Sequence, residues 1–75
     1  MTIQRRIFNE SEENNNREFS KKIRRSESYT SNMLNSKKSI TIELAIDTME
    51  RLRFEKDKIM SIVLLHLKEE FNIFA

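Results

Sequence analysis

The chain has 75 residues, with 14 Lys/Arg against 12 Asp/Glu, one His, a formal net charge of +2, and no Gly, Pro, Cys or Trp. This composition excludes disulfides, thiol chemistry, a cysteine-built zinc centre and any glycine-rich phosphate loop. A chain of this size forms one domain at most, and its own core is expected to be marginal.

Codons for the missing Gly, Pro and Trp are GC-rich, which points to a low-GC genome such as a phage or plasmid. No charged start followed by an apolar run marks a signal peptide. The apolar block 59–67 is interrupted by Ser61 and His66 and falls short of the roughly 20 residues that span a bilayer. A cytoplasmic protein without a membrane partner is the expectation. Charge is uneven along the chain: residues 1–38 hold nine Lys/Arg against five Asp/Glu, and residues 39–75 hold five against seven. The first part reads as a flexible basic tail and the second as a folded, mildly acidic module.

Residues 3–8 place Ile3, Ile7 and Phe8 around Arg5-Arg6, as in a short docking peptide. Residues 10–16 are polar with an Asn run and read as a linker. Phe19 and Ile23, four residues apart beside Lys21, Lys22, Arg24 and Arg25, suit a short basic helix over 17–25, marginal in isolation. The Ser/Asn-rich segment 26–38 reads as loop or disorder.

Ile40-Thr41-Ile42-Glu43-Leu44 alternates apolar and polar residues, which predicts a half-buried strand with Ile40, Ile42 and Leu44 on one face. No second strand of similar quality exists to pair with it, so a second copy is expected to supply one. Asp47-Thr48-Met49-Glu50 resembles a capping box and predicts a helix over about 47–56, with Met49 and Leu52 inward. A second helix over about 57–72 carries Met60, Val63, Leu64, Leu67 and Phe71 on one stripe, widened by Ile59, Ile62 and Leu65. A helix apolar around so much of its girth needs cover on several sides. The predicted dimer core is therefore Ile40, Ile42, Leu44, Met49, Leu52, Ile59, Ile62, Val63, Leu67 and Phe71. Whether 47–72 is one helix or two stays open, since no Gly, Pro or Ser marks a break near Lys56 and Lys58.

The strand followed by two helices resembles the ribbon-helix-helix family, with 39–44 as ribbon, 46–54 as first helix and 58–71 as second. The resemblance implies a mostly helical, intertwined homodimer with one short β-strand. It further implies that Ser39, Thr41 and Glu43 face the major groove of DNA, helped by Lys37, Lys38 and the tail's Lys21, Lys22, Arg24 and Arg25, as in a repressor or a plasmid partition protein. Gln4-Arg5-Arg6-Ile7-Phe8 resembles the Gln-x-x-Leu-Phe peptides by which replication factors and phage clamp inhibitors enter a pocket on the bacterial sliding clamp. That resemblance implies a binding protein that blocks DNA replication, with Gln4, Ile7 and Phe8 as contacts. Packing of Ile7 and Phe8 on the core is the alternative. His66 has no nucleophile at a defined spacing, so no enzyme, cofactor, metal or small-molecule substrate is expected.

Overall fold

The computed structural model of the protein describes residues 1–13 and 15–71. Five helices follow one another among the described residues: α1 Ile3–Glu10, α2 Asn16–Ile23, α3 Glu27–Asn35, α4 Ile42–Arg51 and α5 Lys56–Phe71. Among the described residues there is no strand. The ribbon-helix-helix expectation is thereby overturned, and with it the ribbon shared between two copies. The end of the second predicted helix at Asn72 lies outside the described residues.

Polar caps start the first four helices. Thr2, Asn15, Ser26 and Thr41 stand in extended backbone, and their side-chain oxygens accept from the N–H groups of Arg5, Glu18, Tyr29 and Leu44. Each satisfies a donor that the helix cannot, worth about 1 kcal/mol. The cap at Thr41 explains why 40–44 misleads as a strand. Thr41 is polar because it caps, and the helix then places Ile42, Ala45, Ile46 and Met49 at i, i+3, i+4 and i+7. Over five residues this pattern coincides with strand alternation; Ala45 and Met49, both fully buried, reveal the longer period. Asp47 is not a cap but lies within α4, where its carboxylate accepts from Arg51 Nε at 3.0 Å.

Helices α2 and α4 end alike. Arg24 (φ 59°) and Arg53 (φ 62°) occupy the left-handed region. The N–H of Arg25 donates to Ser20 O at 3.0 Å and that of Phe54 to Met49 O at 3.1 Å, closing the helix end in the way glycine usually permits. With no glycine in the chain, arginine takes the position. The left-handed Arg53 also divides α4 from α5, so the described part of this stretch, 47–71, belongs to two helices.

The segment expected to be a tail supplies most of the interior. Of the nine buried apolar residues among those described, Ile3, Ile7, Phe19, Ile23, Met33 and Leu34 come from α1, α2 and α3, joined by Ala45, Met49 and Ile62. Helix α1 packs on α3, α4 and α5, while α2 packs on α3 and α4. The Ser/Asn-rich stretch becomes α3 because Thr30, Met33 and Leu34, at i, i+3 and i+4, bury one face. The predicted dimer core is redistributed accordingly. Met49 and Ile62 lie inside the single chain, and Ile40, Ile42, Leu52, Ile59 and Val63 pack partly buried against its core. Leu44 and Leu67 are half-buried, and Phe71 is exposed.

One polar side chain is embedded in this interior. Gln4 has no exposed surface. Its Nε2 donates to Met33 O at 3.1 Å and to Lys38 O at 2.8 Å, and its Oε1 accepts from Ile40 N at 3.0 Å. Beside it, the Ile3 N–H donates to Ser39 Oγ at 3.2 Å and Arg5 Nη2 to Leu34 O at 3.1 Å. Helix α1 thus satisfies the C-terminal carbonyls of α3 and the connector into α4. The α1–α5 contact adds the Arg6–Glu69 ion pair at 2.6 Å.

Removing the Gln4 amide leaves the part-buried Ile40 N–H without a partner and takes from Met33 O and Lys38 O one donor each, besides opening a hole in the core. Gln4→Ala is expected to lower the free energy of unfolding by about 3 kcal/mol, read from urea titration by circular dichroism. A loss below about 1 kcal/mol would contradict this packing.

Candidate functional site

Helices α2 and α3 form a unit. Ile23 ends one helix and Glu27 begins the next, so the turn is Arg24-Arg25-Ser26, with the first residue left-handed and the third capping α3. Phe19, Ser20 and Ile23 face inward from α2, and Thr30, Met33 and Leu34 from α3. The small Ser20 lets the helices approach closely, and its hydroxyl donates to Arg17 O at 2.7 Å. Thr30 Oγ1 donates to Ser26 O at 2.9 Å, so neither buried hydroxyl is unpaired. Two short helices joined by three residues, with a left-handed residue in the turn, is the chain arrangement of a helix-turn-helix unit. The outer face of α3 presents Ser28, Tyr29, Asn32 and Asn35, all exposed.

Charge concentrates around this unit. Residues 16–38 contain seven Lys/Arg and two Glu, a local charge of +5, while the other residues together sum to −3. Arg24 and Arg25 precede α3, and Lys37 and Lys38 follow it. The Arg25 guanidinium lies 5.2 Å from the centroid of the Tyr29 ring, which holds the cation against the first turn of α3. Lys21 and Lys22 are partly offset by Glu18 at 3.8 Å and Glu13 at 2.6 Å. Among the described residues, Arg24, Arg25, Lys37 and Lys38 form no ion pair with a carboxylate.

Helix α4 brings Arg51 and Arg53 beside the end of α2, together with Asp47, which pairs with Arg51 at 3.0 Å, and Glu50. Arg51 Nη1 donates to Ile23 O at 3.2 Å, joining the C-terminal ends of α2 and α4. A shallow hollow there is lined by Lys21, Lys22, Arg24, Arg51, Leu52 and Arg53. Two helix C-termini meet at this point, and their partial negative charge favours the cations. Arg51 and Arg53 were not legible as part of this group, because the sequence does not reveal that α2 and α4 end side by side.

The residues expected on the ribbon serve other purposes. Ser39 Oγ accepts from Ile3 N–H, Thr41 caps α4, and Glu43 is exposed in the first turn of α4. The expected clamp-binding residues lie in α1: Gln4 and Ile7 are fully buried, and the Phe8 ring stands edge-on to Phe19 with centroids 5.1 Å apart. The polar residues of α3 were missed, although the Thr30, Met33 and Leu34 spacing carries a helical signal.

His66 is buried, with its ring edge-on to Phe71. Among the described residues no three His, Asp or Glu side chains converge on a point that would hold a metal ion, and no helix is long and apolar enough to cross a membrane. No protein-family model matches the chain. Neither does any curated protein or solved structure.

Left-handed arginines cost backbone energy that glycine would not. Arg24→Gly and Arg53→Gly are each expected to raise unfolding stability by about 1 kcal/mol in urea titrations. Destabilisation by both would contradict the assigned helix ends.

Proposed function

We propose that the protein is a non-enzymatic module that binds duplex DNA, with α3 as the element that enters the major groove. The observation that carries this reading is the α2-turn-α3 unit itself, whose polar outer face is bracketed by Arg24-Arg25 on one side and Lys37-Lys38 on the other. An α-helix fits the major groove, and helix-turn-helix proteins lay their second helix there with its N-terminal residues nearest the bases. Asn32 and Asn35 have the donor and acceptor pair that reads adenine, Ser28 suits several bases, and Glu27 can accept from cytosine. Lys21, Lys22, Arg24, Arg25, Lys37 and Lys38 supply the sequence-independent attraction to phosphates. This retains the basic residues named from the sequence and discards the ribbon. Engagement of a sliding clamp through Gln4, Ile7 and Phe8 requires α1 to leave the core, and so draws no support from this packing.

Fluorescence anisotropy with a random-sequence duplex is the test. Affinity in the micromolar range is expected near physiological salt, falling linearly on a logarithmic salt scale with a slope of about −4. Arg24→Gln/Arg25→Gln is expected to reduce the magnitude of that slope by about 2. Asn32→Ala leaves the slope unchanged but lowers the preference for a sequence selected from a random pool, by about 1–3 kcal/mol. No binding at low salt, or a slope indifferent to the arginines, would overturn the reading.

A further inference from the structure

Helix α5 turns one side to the core through Ile59, Ile62, Val63 and His66 and leaves the opposite side open. On that open side Met60 is 59 % exposed, Leu64 45 % and Leu65 41 %. Ser61, Leu64, Leu65 and Lys68 line a shallow apolar concavity. Asp57 and Lys68, both exposed, lie on the same stripe, because eleven residues are close to three helical turns. Neither forms an ion pair among the described residues.

We infer that this face binds a second copy of the chain, with two α5 helices running antiparallel about a dyad between Ile62 and Val63. The charge order selects that occupant. Asp57 and Lys68 stand at equal distances on either side of the midpoint, separated by about 16 Å along the axis. In an antiparallel pair each Asp57 therefore meets the other copy's Lys68, twice by symmetry, as a self-complementary two-fold interface requires. Between the two ion pairs Met60 lies beside the opposing Leu64, and Ser61 admits the opposing Leu65. A parallel pair would set Asp57 against Asp57 and Lys68 against Lys68. A membrane surface would meet an exposed carboxylate, Asp57, at one end of the stripe.

A single helix pair covers less area than a standard stable interface, so the dimer is expected to be reversible in the micromolar to millimolar range. It is also separate from the proposed DNA face: α5 packs on α1 and α4, whereas α3 packs on α1 and α2. Loss of dimer and loss of DNA binding are thus measured independently.

Sedimentation equilibrium of the full chain over 10 to 1000 µM, an order-of-magnitude window, tests this. The protein is expected to pass from monomer to dimer. Asp57→Lys and Lys68→Asp should each weaken self-association at least about tenfold, through like-charge contacts at both ends. An equimolar mixture of the two variants should form a heterodimer with near-original affinity, because both ion pairs are then restored. Circular dichroism checks that each variant keeps its helices, which the exposure of both positions favours. A monomer throughout the range, self-association indifferent to either reversal, or a mixture no tighter than its components would overturn the inference. So would binding to neutral phosphatidylcholine vesicles in place of self-association.

Discussion

The side-chain amide of Gln4 occupies a position where packing would otherwise call for an apolar residue. It is tolerated there because all three of its hydrogen bonds go to backbone groups: the end of α3, the connector, and the first residues leading into α4. Met33 O and Lys38 O also accept from Ser36, whereas the Ile40 N–H has Gln4 alone as its partner. Desolvating an amide is costly unless its polar atoms are matched, and leaving the Ile40 N–H unmatched adds to that cost. Among the described residues, the buried side-chain polar atoms all have partners. Sequence-distant segments, 29 to 36 residues apart, are thereby joined through one residue.

The other features follow from that junction. Once α1 is tied to the end of α3, Ile3 and Ile7 fall into the interior and α1 covers one side of α5. Cover for one side of this apolar helix, that of Ile59, Ile62 and Val63, is thus supplied within the chain. The same junction fixes α3 with its buried residues inward and Ser28, Tyr29, Asn32 and Asn35 outward. Absence of glycine shapes the surface as well. Both α2 and α4 end on a left-handed arginine, and the ends lie close enough for Arg51 to bond Ile23 O. Backbone strain and positive charge therefore gather on the side that bears the proposed DNA contacts.

Several of these features are visible in the residue order. Phe19 and Ile23 mark α2, the apolar breadth of 59–67 marks α5, and the basic pairs of α2 stand out by composition. Others are hidden for physical reasons. Five alternating residues ending at Leu44 do not distinguish a capped helix start from a strand, because the periods separate only over a longer window. The first 38 residues look like a tail because their apolar groups are sparse, yet Ile3, Ile7, Phe19, Ile23, Met33 and Leu34 converge only after three helices have formed. The residue order shows the hydrogen-bonding capacity of Gln4 but not its partners; the packing directs that capacity to the chain's own backbone at Met33, Lys38 and Ile40. Helix α3 is hidden because serine and asparagine favour loops when considered locally, and burial of Thr30, Met33 and Leu34 outweighs that preference.

Hydrogen exchange at the Ile40 amide tests the central role of Gln4 most directly. Ile40 lies outside any helix, so its N–H owes its protection to the Gln4 carbonyl oxygen alone. If α1 anchors the fold, that amide exchanges only through global unfolding, as slowly as the core amide of Met49 in α4. Exchange near the rate of an unstructured peptide, while Met49 stays protected, would show that α1 is not fastened to the rest and would contradict the account.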